Sequence, residues 1–301
     1  MARELTRDRA FFGFSPDAEP VLTVQQGEEV ALETHDCFSG QLKTSADTLE
    51  TLDWSITNPA TGPVYIEGAK PGDLLRVDLL EVTSTGPSVM VAVPGVGTMG
   101  DMITEMETTI LRHTADTVVF KERIEVRQKP MLGVIGVAPA EGVVPNSTPG
   151  PHGGNMDCTL LTTGSSLYLR VNVDGALFGC GDMHAVMGDG EVVICGAETP
   201  GTVRFKAQVV GIEALPTPFI ENDEVVAVIA SAETVDEAYK DAIHLMLGFL
   251  SDVAGMPIND AAMLMSLVGN LKFCQVVDPL MTVRFEFPKS VLAEYGFVMP
   301  R

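Results

Sequence analysis

Val203-Arg204-Phe205-Lys206-Ala207-Gln208-Val209 alternates apolar and polar side chains at every step. Successive side chains of an extended chain leave opposite faces, so a period of two marks a strand with one face on a core. The same alternation recurs in Leu167-Tyr168-Leu169-Arg170-Val171-Asn172-Val173 and in Met281-Thr282-Val283-Arg284-Phe285-Glu286-Phe287. Each reads as a half-buried strand with one wet face. Shorter strand candidates lie at 30–34, 74–82, 89–93, 118–126, 132–137 and 191–195. The 29 glycines and 19 prolines punctuate these runs at about the spacing of a β-sandwich or barrel.

Helical periodicity comes late. Thr234 followed three residues on by Glu237 forms a capping box. Ala238, Ala242, Leu245, Met246, Phe249 and Val253 then make one apolar stripe, which Gly255 and Pro257 end. A second helix is expected from about Asn259 through Met263, Leu264 and Leu267. The fold class is therefore α+β: a strand-rich sandwich or barrel-like core with a C-terminal helical hairpin layered on one sheet. The 301 residues read as a single domain, or as two intimate β-rich halves meeting near 130–150.

Composition narrows the function. The net charge of −22 repels nucleic acid and anionic membranes. No apolar run is long enough to span a bilayer, and the N-terminal MARELTRDRAFFGF lacks the apolar stretch of a signal peptide, so the expected location is cytoplasmic. Cys37, Cys158, Cys180, Cys195 and Cys274 are odd in number and scattered, which fits free thiols better than a disulfide framework.

Three segments carry polar groups that a strand core does not need. The first, at 33–41, puts His35 and Asp36 at a strand end. Its plainer interpretation is a turn whose Asp caps local backbone N–H groups. The second, Pro149-Gly150-Pro151-His152-Gly153-Gly154-Asn155-Met156-Asp157, is too rich in Pro and Gly for helix or regular strand. Its glycines would let the backbone approach a bound group. The third is Gly179-Cys180-Gly181-Asp182-Met183-His184-Ala185-Val186-Met187-Gly188-Asp189-Gly190-Glu191. Asp182 and His184, two apart, can point to one face of an extended chain and share a divalent ion, with Glu191 returning to the same place. Glu141 follows an apolar run and is either a surface charge or a partly buried general base. No G-x-S-x-G elbow, Walker loop or dinucleotide-binding fingerprint is present.

These segments resemble the acetamidase/formamidase family. The similarity runs through 20–42, 58–64, 67–73, 136–142, 151–157, 175–191 and 275–279, in matching order and spacing. The resemblance implies hydrolysis of small amides, a β-rich fold with a helical layer, a divalent metal and homo-oligomers, usually dimers. Carried over by motif, Asp36, Asp182 and His184 are the expected metal-site residues, with His35 beside them. Zinc is the expected ion, with calcium or another divalent cation as alternatives. Glu141 and Glu191 fall in matching acidic positions and are the catalytic candidates, Glu141 preferred as base. His152, Gly153, Gly154 and Asn155 are expected to bind substrate, the Gly153-Gly154 backbone serving as oxyanion donor. Two alternatives stand beside this: a non-catalytic binding protein with a structural metal, and a hydrolase of another C–N bond.

Overall fold

The computed structural model describes residues 2–212 and 214–299. A nine-stranded sheet runs in the order Arg3–Leu5, Glu29–Thr34, Gly201–Val210, Leu74–Ser84, Ser166–Arg170, Phe219–Glu221, Val225–Ala232, Met281–Pro288 and Asn270–Gln275. Only its first pair is parallel. A six-stranded sheet is built around Met131–Gly136, Phe178–His184 and Ala60–Ile66, and Gly153–Asn155 pairs along the outer edge of Met131–Gly136. The main core lies between these sheets. Leu32, Val77, Val203 and Phe205 of one meet Val64, Leu132, Ile135 and Phe178 of the other. A four-stranded sheet, from Ser88–Ala92 to Ile124–Arg127, lies beside the cavity described below, and Gly13–Phe14 pairs with Val144–Pro145 in a two-stranded sheet.

The expected alternation holds along Gly201–Val210, where Val203, Phe205 and Ala207 are buried and Arg204 is exposed. It fails in an informative way along Met281–Pro288. Val283, Phe285 and Phe287 pack under the helices, but Thr282, Arg284 and Glu286 on the opposite face are buried too. That face is dry because a loop carrying Asp189 covers it and supplies the partner Arg284 needs. Tyr168 is likewise buried, edge-on to Phe219, so Ser166–Arg170 has no wet face either.

The helical layer forms as the sequence indicates. Thr234 Oγ1 accepts from the Glu237 N–H and Glu237 Oε2 accepts from the Thr234 N–H, closing the capping box. The helix Val235–Gly248 buries Ala238, Ala242 and Met246 against the sheet, then widens into a π-helical turn at Phe249–Val253. Leu245 is the departure, being 36% exposed at the stripe's edge. The second helix spans Ile258–Val268. No helix among the described residues is long and apolar enough to cross a membrane.

Three local expectations are corrected. The 118–126 run is two strands, Thr117–Phe120 and Ile124–Arg127, separated by Lys121 and Glu122 at positive φ. The 191–195 run is a loop, because Glu191 at φ +46° and Ile194 at φ +125° cannot continue a strand. The glycine-rich stretches do enter the sheet: Phe178–His184 is a buried strand and Gly153–Asn155 a short one. Glycine is required there by close packing. A Cβ on Gly153 would lie 2.1 Å from the Ile135 carbonyl oxygen.

Candidate active site

Segments distant in sequence deliver their polar ends to one buried point. The end of Phe178–His184 supplies Asp182 and His184, and the turn after Gly153–Asn155 supplies Asp157. The loop beyond His184 returns with Glu191 and Glu198. Asp278 arrives after the strand Asn270–Gln275. Asp157, Asp182, His184 and Glu198 are 1% exposed and Glu191 is 7% exposed. Gly133 makes room for them, since a Cβ there would stand 2.5 Å from Asp157 Oδ1. Three of these acids sit in the left-handed region, Asp157 and Glu191 at φ +46° and Asp182 at φ +51°. Such backbone costs about 1–3 kcal/mol per residue and concentrates at functional sites.

His184 is the hub. Its Nε2 lies 2.7 Å from Glu198 Oε1, 3.7 Å from Glu191 Oε1 and 3.8 Å from Asp182 Oδ1. Its Nδ1 lies 3.8 Å from Asp157 Oδ1. Two asparagines orient the acids: Asn58 Nδ2 donates to Asp182 Oδ2 at 2.9 Å and Asn155 Nδ2 to Asp278 Oδ2 at 2.9 Å.

So many carboxylates cannot all ionise in a dry pocket without added positive charge. Burial, reinforced by Asp278, pushes Asp157 well up from the usual carboxylate range. Burial with Glu198 does the same to Asp182, and burial with Asp157 to Glu191. Burial and Asp182 raise Asp278 to about 8. For His184, burial alone would lower the pKa, but the Glu198 carboxylate overrides it and holds the ring up to about 10.

The donor set fits a divalent cation. Asn155 Oδ1, both Asp157 carboxylate oxygens, Asp182 Oδ1 and His184 Nδ1 are buried with no hydrogen-bond partner. Leaving such atoms unsatisfied costs about 1–3 kcal/mol each, more when charged. Two trios of donor atoms, Asp157–His184–Glu191 and Cys37–Asp182–Glu198, each fall within 4.8 Å of one another. A cation among them would satisfy the orphaned atoms and offset the charge.

Above the cluster opens a cavity of about 560 Å³, with Asn58, Asn155, Asp182, His184, Glu191, Glu198 and Asp278 at its polar end. Cys37 also lines it, but its thiol pKa is pushed up by burial and by Glu198, so a thiolate nucleophile is disfavoured.

The structure brings Asp182, His184, Glu191 and Asn155 together at this cavity. Asp36 is buried nearby, but its Oδ1 accepts from the Phe38 and Gly40 N–H groups, which is the turn-capping role. His35 is half-buried and does not line the cavity. Glu141 stands exposed on a turn outside it. Gly153 and Gly154 are buried in the sheet, and the Gly153 N–H is already donated to Gly150. Asp157, Glu198, Asp278 and Asn58 complete the site. Asp157 closes the His152 motif and Asp278 sits in the 275–279 segment, so both were within reach of the sequence. Glu198, in an ordinary-looking Ala197-Glu198-Thr199, carried no signal.

His152 is buried behind the site against Phe14, and burial lowers its pKa to about 4. It stays neutral in the folded protein, whereas the unfolded chain takes up a proton near 6.5. The contribution of His152 to stability is therefore full above pH 6.5 and is lost as pH falls towards about 4, by roughly 3 kcal/mol. His152→Leu should flatten this decline in urea titrations between those limits; an unchanged slope would refute the assignment.

These features define a class: a β-rich protein with a buried acid–histidine centre at the foot of a cavity. The acetamidase/formamidase family model matches residues 4–148 and 143–278, and the chain belongs to that family. It is 39% identical to acetamidase from Bacillus halodurans, with a TM-score of 0.96 over 98% of this chain and 100% of that one. It is 40% identical to a predicted acetamidase/formamidase from Thermoanaerobacter tengcongensis, with a TM-score of 0.95 over 99% of both chains. It is 26% identical to a formamidase from Methylophilus methylotrophus over 250 residues, which span 64% of this chain and 61% of that protein.

Proposed function

We propose that this chain is a metal-dependent hydrolase that cleaves the C–N bond of linear amides of the formamide and acetamide kind, giving a carboxylate and ammonia. The observation that carries this is the set of orphaned donors converging beside an open cavity. A structural metal site is closed by protein ligands, whereas a hydrolytic one faces space for water and substrate. The formamidase and acetamidase names of the relatives support the amide bond over other C–N bonds.

Asp157 and His184 would hold the cation through their orphaned donor atoms, with Asp182 as a neighbouring carboxylate, zinc by preference for a mixed imidazole and carboxylate set. When bound, it supplies Lewis acidity for attack on the carbonyl. Glu198, hydrogen-bonded to His184 Nε2, fixes the ring so that Nδ1 is presented as a ligand. Glu191, rather than Glu141, serves as the base, because it lines the cavity and Glu141 does not. It accepts a proton from the attacking water and returns it to the departing nitrogen. Asn155 Oδ1, free of any partner, accepts from the substrate N–H. A homodimer, following the family resemblance, and a cytoplasmic location, in keeping with five free cysteines, belong to the same proposal.

Ammonia release from formamide and acetamide by the purified protein tests this reading. Turnover is expected with both, and its absence with every amide tried would overturn it.

A further inference from the structure

The cavity is much larger than its expected substrates. Formamide has three non-hydrogen atoms and acetamide four; at about 30 Å³ per water-sized group, either occupies roughly 100 Å³. The cavity offers about 560 Å³. Its chemistry is divided. The polar groups crowd the floor, while Phe38, Leu49, Val91, Val93 and Ile194 form the walls and Trp54, 61% exposed, stands as a further lining side chain. No Lys or Arg lines it, and four carboxylates do so at the floor. A very small polar amide would leave the walls bathed in water. An anionic substrate would meet the acids with no lysine or arginine to receive it.

Resting on the amide-hydrolase reading, we propose that the substrates are neutral primary carboxamides with an apolar acyl group of about five to seven carbons, roughly twice the bulk of acetamide and well within the cavity. The carboxamide reaches the acid–histidine floor and the acyl chain lies along the apolar walls. The reaction is R–CO–NH₂ + H₂O → R–COO⁻ + NH₄⁺. The C–N bond breaks, a C–O bond forms to the water oxygen, and both water protons leave with the nitrogen.

The test is kcat/KM of the metal-loaded enzyme for formamide, acetamide, butyramide, hexanamide, benzamide and glutaramate. Each buried methylene is worth roughly a fourfold gain, so hexanamide, with four more than acetamide, should exceed it by about two-hundredfold. Glutaramate, similar in length but anionic, should fall below hexanamide by a similar factor. Trp54→Ala should reduce the hexanamide-to-acetamide ratio, since it removes apolar wall. A series that peaks at formamide or acetamide, glutaramate equal to hexanamide, or an unchanged ratio in the Trp54 variant would overturn the inference while leaving amide hydrolysis standing. Turnover of no amide at all would overturn the underlying reading, and this inference with it.

Discussion

Glu191→Gln is expected to lower kcat for amide hydrolysis by about 10²–10⁴-fold, the usual contribution of a positioned general base, with bound metal retained. Glu191 reaches the cavity from a loop held at both ends. The Gly190 N–H donates to the Cys274 carbonyl and the Ile194 N–H to that of Glu191. Its carboxylate lies 3.7 Å from His184 Nε2. Burial and the neighbouring acids favour its protonated form, and a cation nearby favours the ionised form that can act as base. Gln keeps the shape and removes the proton-accepting oxygen. Glu141→Gln is the control and should stay within about threefold of wild type, since an exposed carboxylate outside the cavity supplies none of that base contribution. Loss of metal together with activity in Glu191→Gln would move Glu191 to the metal donors. A Glu141 variant that loses the larger factor would restore the base role to that residue.

Arg284→Met should lower unfolding free energy by about 3–5 kcal/mol, the usual loss when one partner of a buried ion pair is removed. The Arg284 side chain is 2% exposed. Its Nη1 and Nη2 donate to the two oxygens of Asp189 at 2.9 and 2.8 Å, and its Nε donates to Glu286 at 2.7 Å. Glu286 is 6% exposed at its side chain and keeps only Lys272, at 2.9 Å, when the guanidinium is gone. Asp189 also accepts from Thr159 Oγ1, so this pairing ties the turn after Asp157 to the loop that carries Glu191. Urea unfolding measures the loss. A change under about 1 kcal/mol, the range of an exposed pair, would contradict the structural account.

Arg284 also shows where sequence and structure part. Its strand was legible because Val283, Phe285 and Phe287 alternate with polar neighbours. That the polar face is buried was not, because burial depends on a loop about 95 residues earlier in the chain. The helical hairpin was legible for the opposite reason: its capping box and apolar stripe are local. Within the site, Asp182 and His184 announced themselves by spacing, whereas Glu198 is placed by the fold alone. Asp36 shows how one residue type serves two roles. An Asp at a strand end suits a metal or a turn, and the Phe38 and Gly40 N–H groups hold its Oδ1 for the turn. The glycines at 153 and 154 signal close approach correctly, but the approaching groups are the Ile135 carbonyl of the neighbouring strand and the Thr148 carbonyl.

In the proposed mechanism the acid–histidine cluster is a metal centre on which amide turnover depends. Metal content and ammonia release, measured on one sample before and after chelation, test it most directly. Activity should fall in proportion to the metal removed, the strand signal in circular dichroism should persist, and adding back a divalent cation should restore the rate. A metal-free sample that hydrolyses amides at the full rate would contradict it.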